Sequence, residues 1–300
     1  MINIIPTESL FYCIIFTRHL KKASEVNSFM SNKDFMKEME NWSPQHLNKD
    51  NIMMDEYLSL ILEDSNKNLS DLAHARLYHM IESHGIEWYE DENGNNRPKY
   101  KFFENEIYGL DDTIEKLVGL LHGGARLLPV RKRILMLMGP VGGGKSTIAA
   151  MLKKGLEKYS LTDEGKIYSI VGCPIHEDPL NALPENFRDI LKTKHDVFVE
   201  GRLCPYCQFK LDNDLKGDFR KFELERISFS EQKRVGIGTF LPNDVKSQDI
   251  SELIGSVNLS KLADIGVESD PRAFTFDGEL NIANRGIMEM RSEEHTSELQ

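Results

Sequence analysis

Nine consecutive residues, Gly139-Pro140-Val141-Gly142-Gly143-Gly144-Lys145-Ser146-Thr147, match the pattern G-x-x-x-x-G-K-[ST] without departure. Each residue type has a chemical reason. Glycines let the backbone curl so that several N–H groups converge on phosphate oxygens. Lys145 supplies a positive charge to the β- and γ-phosphates of a nucleotide, and the Ser146 hydroxyl can ligate the Mg²⁺ that bridges them. A helix starting here would add the positive end of its dipole. The expected ligand is therefore a nucleoside triphosphate, ATP, with Mg²⁺.

A second group has metal-ligand spacing. Cys173-Pro174-Ile175-His176 and Cys204-Pro205-Tyr206-Cys207 are two C-x-x-[CH] knuckles separated by residues 177–203. Two such pairs build a tetrahedral, four-ligand zinc site, structural because no coordination position stays open. Cys173, His176, Cys204 and Cys207 are its expected ligands, stapling the excursion 173–207. The separation is wider than the roughly 15–20 residues of common zinc ribbons. Metal-free reduced thiols with His176 at the surface, and a Cys204–Cys207 disulfide, are the alternatives.

These residues need elements to position them. Ile134–Met138, directly before the glycine loop, has the length and apolarity of a buried parallel strand. Behind the loop, Ile148, Leu152 and Leu156 are spaced to pack a helix onto a sheet. Lys166–Val171 and Glu225–Ser230 are further strand candidates, and Pro184–Lys192 a helix candidate. Residues 55–85 read as helical, with Ala73, Leu77, Met80 and Ile81 on one face, Ser70 as N-cap and Gly85 as stop. Residues 91–98 have turn chemistry. Leu110, Ile114, Leu117, Val118 and Leu121 form another helical stripe, with Asp111-Asp112 at its N-terminus and Gly123-Gly124 ending it. Residues 1–29 carry no clear pattern, and Met30-Ser31-Asn32-Lys33-Asp34 reads like a true start.

Composition narrows the class. Of 300 residues, 40% are apolar and 28% charged, which is globular and neither collagen-like nor disordered. The net charge of −11 argues against a general nucleic-acid coat, which needs a basic face. The longest apolar runs, such as Leu10–Phe16, are far short of a membrane span. Four cysteines and a poor signal peptide predict a cytoplasmic protein with reduced thiols. Gly236-Ile237-Gly238 lacks a third glycine and reads as a tight strand turn, and Lys246-Ser247-Gln248-Asp249 as a loop and helix start. The sequence has no H-E-x-x-H, G-x-S-x-G, H-R-D or D-F-G.

Several words then combine. Tyr100–Glu104, Val130–Ile134, Gly172–Glu177, Leu203–Cys207, Arg234–Phe240, Lys246–Ile250 and Ser269–Ala273 resemble the bacterial PrkA family from about Tyr57 to Met290. That family is described as serine protein kinases built on an AAA+ ATPase domain. Leu253–Val257 followed by Leu280–Ile287 also resembles the magnesium-chelatase-like branch of AAA+ proteins, where an Ala-x-Arg-Gly turn leads into the Walker B strand. Here Ile287-Met288-Glu289-Met290 would begin that strand, and the acids that handle Mg²⁺ and water would fall just after it. Past Met290 the resemblance ends. Arg291–Gln300 reads like the conceptual translation of a sequencing-library adapter.

The resemblance implies an α/β fold: a P-loop NTPase (AAA+) core with parallel sheet, helical N-terminal region and Cys/His-rich insertion, truncated. The corresponding division is 1–29 as a non-native or disordered leader and 30–98 as a helical region and linker. A partial AAA+ domain follows at 99–290, carrying the insertion 173–207, and then the artefactual 291–300. It implies phosphoryl transfer from ATP to protein Ser/Thr, with Ile107-Tyr108 near the adenine. No catalytic residue is assigned beyond the phosphate contact of Lys145. An ATPase that remodels or helps degrade protein partners is one alternative, and a nucleotide-gated regulatory module another. Ring assembly is implied for the full-length protein through an arginine finger, which with the sensor residues and lid would lie past Met290. Binding with little turnover is therefore expected of these 300 residues.

Overall fold

The computed structural model describes residues 2–6, 13–18, 51–140, 142–241, 250–267 and 270–293. Val141, Lys246–Asp249, residues 30–50 and residues 294–300 lie outside them. The first half of the chain runs β1 (Ile2–Pro6), β2 (Cys13–Arg18), β3 (Ile52–Met53), α1 (Met54–Ile61), α2 (Ala73–Glu82), β4 (Ile86–Glu90), β5 (Asn96–Tyr100) and α3 (Asp111–Ala125). Next come β6 (Arg133–Leu137), α4 (Lys145–Leu161), β7 (Ile167–Ile170), α5 (Glu185–His195) and α6 (Pro205–Asn213). The remainder is β8 (Glu223–Ile227), β9 (Ile237–Phe240), α7 (Ser251–Ile254), β10 (Ser256–Val257), α8 (Leu259–Ile265), β11 (Phe274–Thr275), α9 (Glu279–Ile282) and β12 (Ile287–Glu293).

The apolar run before the glycine loop is β6, in a five-stranded sheet of order β1-β6-β2-β12-β9. Pairs β6–β2, β2–β12 and β12–β9 are parallel, and β1–β6 is antiparallel. Two of these strands come from residues 1–29, to which the sequence pattern assigned no element. The other two strand expectations, at 166–171 and 225–230, do not join this sheet. They form β7 and β8 of an antiparallel sheet ordered β3-β8-β7. Their apolar residues divide between two interiors: Ile167, Ile227 and Phe229 join the first core, and Ile170 and Leu224, with Ile52 of β3, a second.

That second core also holds Tyr57, Cys173, Leu180, Leu183, Cys204, Cys207 and Phe222, so the insertion and α1 share one interior. The first core joins Leu77, Met80 and Ile81 of α2 and Leu117, Val118 and Leu121 of α3 to Ile148, Leu152 and Leu156 of α4. Each such buried side chain contributes about 1.5–3 kcal/mol. Residues 73–82 are thus built into the interior that supports the glycine loop.

Local expectations shift for identifiable reasons. The region 55–85 breaks into α1, a 3₁₀ stretch over Asp64–Ser70 and α2, whose N-cap is Leu72 and not Ser70. Residues 91–98 form the turn and first half of β5 in the β4–β5 hairpin, with Pro98 opposite Trp88. Gly123-Gly124 does not end α3, which continues to Ala125. A Cβ on Gly124 would lie 2.5 Å from the His74 ring, so this glycine serves the close crossing of α2 on α3. The expected helix at 184–192 is α5, and Gly236 turns at φ +69 into β9, as its tight-turn reading requires.

Candidate functional site

β6 delivers the chain to the glycine loop and α4, 17 residues long, leaves it at Lys145. Gly142 and Gly144 take φ of +76 and +74, left-handed values that carry no Cβ penalty only in glycine. Gly143 N–H donates to the Pro140 carbonyl at 3.1 Å, closing the turn. The Lys145 ammonium lies over the loop and donates to the carbonyls of Gly139 and Pro140, both at 2.7 Å. Gly139, Pro140, Gly142 and Ser146 are exposed, with Gly143, Gly144 and Thr147 half-buried. The loop thus presents backbone N–H groups, one buried lysine and a helix N-terminus together, the donor set that cradles a polyphosphate.

Ile107 and Tyr108 part company. Ile107 is buried, and its Cδ1 would stand 3.7 Å from a Cβ at Gly144, with Leu110 Cδ1 at 3.2 Å. Tyr108 is 78% exposed, its hydroxyl donating to the Asn105 carbonyl at 3.1 Å. Both line a cavity of about 230 Å³ together with Pro98, Phe103, Gly109 and Asp111. The structure therefore sets Ile107 against the loop and Tyr108 at the surface beside it.

Sequence reasoning missed a buried ionic group on the same helix. Lys153 is 3% exposed and Glu289 of β12 wholly buried. Lys153 pairs with Glu289 and with Glu231 at 2.6 Å, and donates to Thr239 Oγ1 at 2.5 Å. Arg291 also pairs with Glu289. The signal was present: Glu289 is a charge in the otherwise apolar Ile287–Met290, and Lys153 lies between Leu152 and Leu156 on the packing stripe of α4. Burying such charges is tolerable only because they are paired. The group ties the loop helix to β9 and β12.

The cysteine cluster forms with one substitution. Cys173, Cys204 and Cys207 are buried, and the fourth member is Glu177 and not His176; the four ligand atoms lie within 4.8 Å of one another. Cys204 caps α6 and accepts from Cys207 N–H at 3.3 Å, while Pro205 opens the helix. Glu177 N–H donates to Cys173 Sγ at 3.5 Å, and Cys204 N–H donates to Glu177 Oε2 at 2.8 Å. Hydrogen bonds from Cys204 and Cys207 pull the Cys173 thiol down to about 3. The same bonds push the other two thiols up. Burial, then the charge of Cys173, raises the Glu177 carboxyl to about 7. His176 sits at φ +47 with its Nδ1 buried and without a hydrogen-bond partner, and burial lowers its pKa. The left-handed turn at 176 is what sends residue 177 to the cysteines. Three thiols and a carboxylate so placed could bind a metal ion.

Residues 52–294 match the family model described as the PrkA AAA domain. The chain belongs to the PrkA AAA domain family. The PrkA AAA domain is a P-loop NTPase, which implies ATP with Mg²⁺ as its ligand. The chain is 50% identical over 237 residues to the ATP-dependent protease PrkA of Bacillus subtilis, covering 79% of this chain and 36% of that protein. It is 33% identical over 198 residues to the serine/threonine kinase YeaG of Escherichia coli K12, covering 64% of this chain and 30% of that one. It thus spans about a third of the length of the curated relatives it matches. No solved structure matches the chain significantly. Among the described residues, no helix of this PrkA AAA domain is long and apolar enough to cross a membrane.

Proposed function

We propose that this chain is the ATP-binding part of an AAA+ enzyme that couples ATP hydrolysis to work on protein partners. The supporting observation is the glycine loop itself: Lys145 buried at the start of α4, directly over the turn that β6 feeds. Gly139–Gly144 and Thr147 surround the phosphates, Lys145 neutralises the β- and γ-phosphates, Ser146 ligates Mg²⁺, and Ile107 and Tyr108 lie on the adenine side. This constellation stabilises charge on a polyphosphate, which suits hydrolysis as well as transfer. The relative at 50% identity carries the name ATP-dependent protease, which favours the coupling reading.

Transfer to a protein Ser/Thr hydroxyl is the second reading, favoured by the name of the relative at 33% identity. A structural Zn²⁺ in the Cys-rich insertion, a cytoplasmic setting and ring assembly of the whole protein accompany either reading. ATP labelled at the γ-phosphate separates them when incubated with the intact gene product and candidate proteins. Free labelled phosphate supports coupling, whereas label moved onto protein overturns it in favour of the kinase. Lys145→Ala should remove either signal.

A further inference from the structure

Taking the insertion to bind a metal, we propose that its fourth ligand is Glu177, giving a closed Cys₃Glu centre for a zinc-class divalent ion that excludes His176. Zinc–sulfur bonds of about 2.3 Å in a tetrahedron place two sulfurs about 3.8 Å apart. Cys173 and Cys204 stand at 4.0 Å between sulfurs, and Cys173 Sγ stands 3.7 Å from Glu177 Oε1. These two distances already suit one ion, and all four ligand atoms lie within 4.8 Å of one another.

The carboxylate is posed for a single bond. Its Oε2 is held by Cys204 N–H at 2.8 Å, which leaves Oε1 facing the sulfurs. Backbone N–H groups of Glu177 and Cys207 donate to Cys173 and Cys204, the outer-shell bonding that orients and tunes metal thiolates. Among the described residues no lysine or arginine forms an ion pair with Glu177, so a cation in the cluster would be its charge partner. The spacing is thus C-x-x-x-E followed by C-x-x-C, where the sequence alone suggested C-x-x-H.

The placement gives the centre a task. Asp178, next to the ligand, pairs with Arg285 at 3.3 Å, and Asn284 donates to the Ile175 carbonyl at 2.9 Å. Arg285 also donates to the Tyr168 carbonyl at 2.5 Å. Residues 175–178 therefore lie between the metal ligands on one side and the turn into β12 on the other. A bound ion would pin the insertion to that turn.

The test uses the purified 300-residue chain, elemental analysis and uptake of Co²⁺ as a spectroscopic probe. The expected result is about one tightly held zinc per chain and, with Co²⁺, thiolate charge-transfer bands. Glu177→Ala should weaken retention against a chelator roughly tenfold or more. Glu177→Cys should restore it with added thiolate intensity, and His176→Ala should leave both readouts unchanged. A chain that holds no metal and shows no thiolate bands with Co²⁺ overturns the metal reading altogether. Metal lost in His176→Ala but kept in Glu177→Ala overturns the ligand assignment while leaving a zinc centre standing.

Discussion

At the scale of single residues, burial decides which charges and rings this protein can keep. His74, at the start of α2, is 6% exposed and donates through Nε2 to the Arg131 carbonyl at 3.0 Å. Burial outweighs that hydrogen bond and lowers its pKa from 6.5 to about 4. Between those values the unfolded chain binds a proton that the folded chain refuses. The contribution is therefore complete above pH 6.5 and is lost as pH falls towards 4, by up to roughly 3 kcal/mol. His79 runs the other way, because its bond to Asp71 at 2.6 Å raises its pKa. It stays protonated in both states below pH 6.5 and adds no slope there. Denaturant unfolding from pH 7 to 4 should show the wild type losing stability relative to His74→Gln; parallel profiles would rule out the assignment.

At the scale of elements, close backbone approach is the controlling feature. Ile287 N–H donates to the Gly236 carbonyl at 2.9 Å as β12 comes alongside β9. A Cβ on Gly286 would fall 1.8 Å from that carbonyl oxygen, a backbone atom with no room to yield. Gly286→Ala should cost at least about 2 kcal/mol, since overpacking here must part the two strands. Gly119, exposed in the middle of α3, is the contrast: nothing lies within 4 Å of its Cβ position. Gly119→Ala should stabilise by about 0.5–1 kcal/mol, because alanine loses less backbone entropy in a helix. Thermal unfolding of both variants checks the pair, and equal effects would show that the approach at Gly286 is not tight.

For the molecule as a whole, ligand binding and folding are one equilibrium. If the loop at 139–147 binds ATP in the folded state alone, nucleotide at a hundredfold excess over its Kd stabilises by about 2.7 kcal/mol. In a domain of this size that is a rise in Tm of roughly 5–10 °C. Differential scanning fluorimetry with ATP and Mg²⁺ should show the rise, and Lys145→Ala should erase it while melting at a similar temperature without ligand. A shift that survives Lys145→Ala would move the nucleotide elsewhere on the surface. The Lys153–Glu289 pair links this site to β12, so the loop helix and that strand should unfold as one unit.

What the sequence determined by itself is local. The glycine loop, its strand and its helix are contiguous, so residue types and spacing suffice to specify them. Cys204 and Cys207 were legible for the same reason, reaching one point through a short knuckle, and Cys173 by its residue type. Tertiary structure alone decided the rest. Whether residue 176 or 177 faces the cysteines depends on a backbone φ of +47 that ligand spacing does not encode. Lys153 meets Glu289 only through the tertiary packing of α4 and β12, and 166–171 and 225–230 pair with each other in a second sheet while their apolar side chains divide between the two cores. Periodicity records that a side chain is buried. The partner that makes its burial affordable lies far off in the chain, and only the packing of elements brings the two together.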